Sequence, residues 1–385
     1  MAKARKINVV YIIDGLGWGG AERLMPPVLK NLDKDLFNTR VCVLQNKDGN
    51  PIATDLVGMN VPVDFLPIRY LRDITAVFRL RDYLRRVDAD LVHTQLEFSN
   101  VFGNIAAKML RLPSVSTVHT IPTHGIIGRQ IFHQKLEIFS LRFFCDKVIF
   151  VSDEARQFHL RIGGFSPKKA EVIYNGIELL DYLQLGHDKA SLGIRREFSI
   201  PASAKVLITV AVLRELKGIQ FMIRALPLIL EKYPDVYYLI VGSGGYREAL
   251  EKEVKSLGLT GRVVFAGRQD AIPSFLASAD IFVLPSLTEA LPTVLAEAMA
   301  AHLPIVACKV GGIPEMIIDN VNGILITPEN PQALANACIS LLDDDLQLKS
   351  MGEAGWKYVN EKFNIYKQIE NLRNLYIGMM NSYEK

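Results

Sequence analysis

Two glutamates eight positions apart, Glu289 and Glu297, stand in the stretch S-L-T-E-A-L-P-T-V-L-A-E-A-M-A-A from Ser286 to Ala301. The apolar run Ile281 to Pro285 precedes them and reads as a buried parallel strand. Pro292 fits the start of a helix, where a missing N–H costs nothing. The segment is therefore a strand, a tight turn and a helix, with Glu289 in the turn and Glu297 on the helix. The first N–H groups of that helix, near Thr293 and Val294, lack intrahelical partners and attract phosphate. A carboxylate on either side of a phosphate seat suits a ligand with hydroxyls at both ends. A nucleotide sugar answers that description, with ribose on one side and hexose on the other. Two glutamates near a helix also fit a plain solvated face, so the rest of the chain decides between the readings.

The elements that position such a site recur along the chain. Apolar runs at Ile7 to Ile13, Thr39 to Leu44, Leu91 to His93, Ser114 to Val118 and Lys147 to Val151 alternate with amphipathic stretches such as Leu71 to Arg86 and Asn100 to Leu110. A second series follows at Val206 to Val210, Tyr237 to Val241, Val263 to Phe265, Ile281 to Leu284 and Pro304 to Ala307, with helices such as Gly218 to Lys232 and Ala271 to Ser278 between. Buried runs alternating with helices predict parallel sheets covered on both faces. The fold class is thus α/β, with two doubly wound Rossmann-like domains, residues 1–178 and 179–364, facing a central cleft. The polar stretch 179–204 reads as their linker, and a final helix at about 365–385 is expected to pack back on the first domain.

Composition bounds the function. A chain of 385 residues has length for two ordinary domains, and 49% hydrophobic with 22% charged residues is the balance of a globular protein. A net charge of +3 argues against a dedicated nucleic-acid binder. The charge is uneven: residues 1–178 carry 24 Lys and Arg against 18 Asp and Glu, and the remainder 20 against 23. The basic half is the one to meet an anionic partner. Cys42, Cys145, Cys308 and Cys338 form no C-x-x-C pair and read as buried reduced thiols. The N-terminus M-A-K-A-R-K leads into a strand without a signal-peptide core, and no run of 18 apolar residues exists, so a cytoplasmic protein is expected.

The first strand ends in Asp14-Gly15-Leu16-Gly17-Trp18-Gly19-Gly20, which contains a literal G-x-G-x-x-G. A dinucleotide fingerprint also needs an acidic residue at the end of the second strand, where Gln45-Asn46 stand instead. The glycines then signal either a close approach of the backbone to a phosphate or sugar, or a tight turn without a ligand.

Ten short motifs follow in order: G-G-A-E from Gly19, V-H-T from Val118, Val151-Ser152, V-I-Y-N-G-I from Val172, L-R-E-L-K-G from Leu213, V-G-S-G from Val241, F-A-G from Phe265, S-A-D-I-F-V-L-P-S from Ser278, the pair Glu289 and Glu297, and G-G-I-P-E from Gly311. With them the chain resembles a retaining glycosyltransferase of the GT-B fold, family 4 (glycosyl transferases group 1), from Gly19 nearly to its end.

The resemblance implies roles position by position. Glu297 matches the residue that accepts from both ribose hydroxyls, and Glu289 the one that holds donor hexose hydroxyls. Ala290, Leu291, Pro292 and Thr293 match the segment that meets the diphosphate at the helix start. Lys217 matches the cation on the departing diphosphate. His119 matches a histidine near the reacting centre, Gly19 and Gly20 the far wall of the cleft, and Arg268 the place where the nucleobase is read. The family often carries Arg five positions before its lysine, where this chain has Val212; either Arg214 supplies that charge or one cation suffices. No metal or other cofactor is implied, and the tract Asp343 to Asp345 is no metal motif. The implied reaction transfers a hexose from a nucleoside-diphosphate sugar, UDP-linked by expectation, to a glycan or lipid-linked acceptor of cell-envelope synthesis. A sugar-nucleotide epimerase and a non-catalytic binding protein on the same fold are the alternatives.

Two stretches bear on the acceptor. Arg69, Arg72, Arg79, Arg81, Arg85 and Arg86 interleave with Leu71, Ile74, Val77, Phe78 and Leu84, and Ile126 to Phe144 is rich in Ile and Phe. Each either packs on the first sheet or docks peripherally on an anionic membrane. His93 and His124 either touch an acceptor or serve as structural groups.

Overall fold

The computed structural model describes residues 5–121, 129–183 and 193–383. The chain divides into two compact units, Met1–Asn175 with Ile365–Lys385, and Gly176–Asn364.

The first unit is a seven-stranded parallel sheet of β1 (Ile7–Ile13), β2 (Phe37–Val43), β3 (Val63–Phe65), β4 (Leu91–Gln95), β5 (Ser114–Val118), β6 (Lys147–Phe150) and β7 (Ala170–Val172). Their order is β3-β2-β1-β4-β5-β6-β7, so the winding reverses between β1 and β4. The second unit repeats the plan with β8 (Lys205–Val210), β9 (Val236–Val241), β10 (Val263–Gly267), β11 (Ile281–Leu284), β12 (Ile305–Cys308) and β13 (Ile324–Ile326) in the order β10-β9-β8-β11-β12-β13. Its reversal falls between β8 and β11. In such sheets ligands sit beyond the carboxyl ends of the strands at the reversal, where diverging loops leave a crevice. Strands β4, β5, β11 and β12 are buried at every residue, which is why β5, β11 and β12 read as unbroken apolar or small-polar runs, while β4 also buries His93 and Gln95.

Three strands escaped the sequence reading: β3, β7 and β13, each three residues long and each at a sheet edge. Their pairing is decided by the neighbouring strand, because three residues cannot display a period. The stretch expected as a linker is tied into the second unit over its described end. Arg195 donates to the carbonyls of Ser278, Ala202 and Ala204 at 2.7–3.0 Å and lies 3.2 Å from Asp280.

The last helix, Ile365–Tyr383, inserts Ile365, Ile369, Leu372, Leu375, Tyr376 and Met379 into the core of the first unit. Helix Thr75–Arg86 buries Ala76, Val77, Leu80, Tyr83 and Leu84 and packs beside helix Glu97–Leu110. Its Arg79 lies 2.6 Å from Asp73, and its Arg81 2.7 Å from Asp82. The apolar stripe expected there thus serves the fold, while Ile74 and Phe78 stay exposed. Asp343 accepts from Lys232 and Tyr233, and Asp344 caps the helix Asp345–Lys362. All four cysteines are buried and unpaired.

Candidate functional site

In the second unit, the loops that follow β8 and β11 are stitched together at the reversal of strand order. The chain leaves β8 through Ala211 to Leu213, makes a 3-10 turn at Glu215–Lys217 and reverses at Gly218, whose φ is +67°. A Cβ there would collide with the carbonyl oxygen of Pro285, so only glycine lets this loop lie against the end of β11. Leu287 then donates its N–H to the Leu216 carbonyl at 2.9 Å. The stitching brings Lys217 Nζ to 2.6 Å from Glu289 Oε1, although 72 residues separate them. Ser286 donates to the same oxygen at 2.7 Å. Glu289 is 9% exposed and Lys217 27%, so the pair is half-screened from water and open on one side.

The G-G-I-P-E motif shapes the same site from below. Gly311 has φ +51°, and a Cβ on it would overlap the Glu289 carbonyl, which accepts from the Gly312 N–H at 3.2 Å. The glycines of V-G-S-G likewise let the loop after β9 press on the carbonyls of Ala211 and Leu213. These motifs matched the family pattern without a stated role, and their role is to set loop against loop.

Pro292 stands as the N-cap of helix Thr293–Ala300, one position before the helix, with no side chain capping the first turn. Its carbonyl accepts from Leu295 at 3.0 Å, while Thr293 and Val294 begin the helix with no carbonyl behind them to bond. Glu297 is half-buried one turn on, Ala290 is half-buried and Leu291 buried. Lys217, Glu289 and the helix start therefore share one end of one sheet. Arg214 is exposed on the loop before Lys217, and Val212 is 43% exposed on the same loop. Arg268 follows β10, with its guanidinium 3.9 Å from Asp270.

In the first unit, His119 follows β5 and its Nε2 lies 2.9 Å from Gln95 Oε1. Burial pushes the imidazole down to about 4, so it is neutral at neutral pH. The turn that follows Gln95, the last residue of β4, is held by several contacts. Leu96 has φ +75°, a conformation costly for a side chain, and the Gln95 N–H donates to Ser99 Oγ at 3.0 Å while its carbonyl accepts from the same hydroxyl. Asp14, at the end of β1, accepts from the N–H groups of Phe98 and Ser99 at 3.0 and 2.8 Å. Burial raises Asp14 to about 6, against the pull of those N–H groups.

His93 is a structural group. It is buried, its Nδ1 lies 2.6 Å from Tyr376 Oη and its Nε2 2.7 Å from Thr117 Oγ1, and Tyr376 continues to Tyr11 at 2.7 Å. Burial holds it down to about 3. His124 lies outside the described residues. The glycine-rich turn holds protein rather than an evident ligand seat at two positions: Cβ atoms on Gly15 and Gly17 would meet the Lys47 side chain, at 2.6 and 3.1 Å. Lys47 in turn reaches Glu22 at 3.3 Å, and Glu22 fills the space beside Gly19. Beside Gly20 there is open room. Gln95 and Ser286 were given no role from sequence, because nothing local distinguishes a glutamine at a strand end or a serine after a proline.

Known proteins resemble the chain across both units. Residues 18–179 match Glycosyltransferase Family 4, and residues 193–358 match Glycosyl transferases group 1. An uncharacterized glycosyltransferase of Methanocaldococcus jannaschii, MJ1607, is 31% identical over 301 residues, 76% of each chain. An Escherichia coli UDP-Gal:alpha-D-GlcNAc-diphosphoundecaprenol alpha-1,3-galactosyltransferase is 27% identical over 354 residues, 87% of this chain and 88% of its own. Among solved structures, Anabaena Alr3699/HepE in complex with UDP superposes with a TM-score of 0.86 at 23% identity, over 97% of this chain and 100% of its own. The fold is GT-B, the architecture of one large class of glycosyltransferases. The chain belongs to glycosyltransferase family 4 and is a glycosyltransferase of group 1.

Proposed function

We propose that the protein is a retaining hexosyltransferase that takes its sugar from a UDP-linked donor. The observation that carries the reading is the Lys217–Glu289 pair, 2.6 Å apart beside an uncapped helix start at the reversal of the second sheet. In this reading the second unit is the donor-binding one. The N–H groups at Thr293, with the backbone of Ala290 to Pro292, receive the diphosphate, and Lys217 turns from Glu289 to it. Glu289, held by Ser286, takes hexose hydroxyls. Glu297 accepts from the ribose diol, and Arg268 stands by the nucleobase. Arg214 is an exposed second cation that can swing to the diphosphate, replacing the arginine that Val212 displaces.

The first unit binds the acceptor, with His119 and the open backbone at Gly20 as its candidate contacts, while Glu22 occupies the space beside Gly19. The bond between C1 and the diphosphate oxygen breaks with its electron pair going to the phosphate. The acceptor oxygen attacks C1 from the same face, and its proton passes to the departing phosphate oxygen. Lys217 and the helix start stabilise charge that grows in the transition state, without a metal. The E. coli relative, named for a diphosphoundecaprenol-linked acceptor, supports a lipid-linked acceptor.

Calorimetry and product analysis test the reading together. Glu297→Ala should weaken UDP binding by about 1.5–3 kcal/mol, the worth of a charge-assisted hydrogen bond. Lys217→Ala should slow transfer by about a hundredfold or more while leaving the fold intact. Transfer from an α-linked donor should persist in EDTA and yield an α-glycoside by NMR. Unchanged UDP affinity in Glu297→Ala, a β product, or conversion of a labelled donor to its epimer without transfer would each overturn it.

A further inference from the structure

Helix Arg129–Phe143 is inside out. At 100° per residue, Ile131, Phe132, Lys135, Phe139, Arg142 and Phe143 fall within an arc of about 120°. That arc faces solvent: Ile131 is 39% exposed, Phe132 58%, Phe139 51% and Phe143 51%, with Lys135 and Arg142 exposed among them. The opposite arc, which packs toward helix Glu97–Leu110, is largely polar. Ser140 is buried and donates to the Asn100 carbonyl at 2.7 Å, Glu137 accepts from Asn100 Nδ2 at 2.8 Å, and His133 lies 2.7 Å from Glu97. Of its inward residues only Leu141 is a fully buried aliphatic group.

A helix at a protein surface ordinarily shows the reverse, with its apolar stripe inward and its charges out. Burying a hydrogen-bonded glutamate while leaving three phenyl rings in water is unfavourable unless something else covers the rings. The rings also hold together: Phe139 and Phe143 have centroids 4.8 Å apart, and the Arg142 guanidinium lies 5.0 Å from the Phe143 ring.

We propose that this arc of helix Arg129–Phe143 is a docking surface for an anionic lipid bilayer. The charge pattern selects that occupant. Glu137 is the only carboxylate between Arg129 and Phe143, and it is turned inward, so the outer arc is apolar and cationic without an acid. A bilayer offers hydrocarbon under a layer of phosphates, which takes phenyl rings below and Lys135 and Arg142 at the headgroups. The surface also sits in the unit whose sequence carries the excess of basic residues. The proposal deepens the reading of the first unit as the acceptor-binding one, since a lipid-linked acceptor is presented at such a surface.

Co-sedimentation of the full chain with vesicles tests it. Vesicles of phosphatidylcholine with about one third phosphatidylglycerol should pellet the protein, and phosphatidylcholine alone should do so far less. Binding should fall as salt rises. Phe132→Ser with Phe139→Ser should lower vesicle affinity by about tenfold or more, and Lys135→Glu with Arg142→Glu by a similar factor. These side chains are exposed, so folding should survive, and an unchanged melting temperature of the first unit in the same variants confirms it. As a second probe, Phe139→Trp should shift its emission to the blue with anionic vesicles only. Vesicle binding equal in wild type and variants, or none in wild type while UDP binding is intact, overturns the surface and leaves the transferase reading standing. A concentration-dependent dimer abolished by Phe139→Ser would assign the arc to a second copy of the chain and overturn it too.

Discussion

At the scale of single residues, the first unit shows how a histidine is kept neutral and aimed. His119 is the residue of interest, but Gln95 decides its state. With Oε1 facing Nε2, the glutamine favours the tautomer with the proton on Nε2 and makes Nδ1 the acceptor nitrogen. Because burial lowers His119 from 6.5 to about 4, its neutral form is stable above that value. Its contribution to stability is therefore full above about pH 6.5 and is lost as pH falls toward 4. Gln95→Glu places a carboxylate at the same distance and should move the titration of His119 up toward the ordinary histidine range. Nitrogen-15 NMR of the imidazole reads both tautomer and midpoint. A midpoint unmoved by the new carboxylate would show that Gln95 does not face the ring.

At the scale of elements, helix Arg129–Phe143 carries its own signature in pH. Burial, together with the Glu97 and Asp14 charges, raises Glu137 from 4.5 to about 7, although Asn100 pulls the other way. An acid whose folded pKa is raised binds its proton more tightly in the native state, so its contribution to stability is greatest at low pH. It declines as pH climbs from about 4.5 through 7. Glu137→Gln keeps an acceptor for Asn100 and removes the titration. Its melting temperature relative to wild type should rise between pH 5 and about 7 and then level off. A difference that is flat over that range would mean the carboxylate is better solvated than its packing implies.

At the scale of the molecule, the chain closes on itself inside its first unit. The last helix crosses back after the whole second unit and delivers Tyr376 to the centre of a buried relay of Thr117, His93, Tyr376 and Tyr11. Tyr376→Phe keeps the ring but strands the His93 nitrogen and the Tyr11 hydroxyl, at a cost of about 1–3 kcal/mol. The loss should fall on the first unit alone. In calorimetry the transition of that unit should move down in temperature, while the transition that responds to added UDP should stay put. Equal displacement of both would mean that the two units unfold as one.

The strand series and the doubling of the domain were legible because each rests on a local pattern, whereas Lys217, Glu289, Glu297 and His119 were singled out by their place in short motifs. Buried parallel strands are runs of apolar residues, helix starts have their own chemistry, and short motifs in a fixed order identify a family. The edge strands β3, β7 and β13 were not legible, because a three-residue strand is defined by its partner and not by its own residues. Ser286 and Gln95 were invisible for the same reason, since their meaning lies in what they touch. The contact of Lys217 with Glu289 needed Gly218 to fit under Pro285 and Gly311 under Glu289, and only the packed chain shows those approaches. The sequence placed apolar residues in Ile126 to Phe144 without saying which way they point. Tertiary structure decided that for helix Arg129–Phe143, where hydrogen bonds to Asn100 turn Ser140 and Glu137 inward and leave the phenyl rings outside.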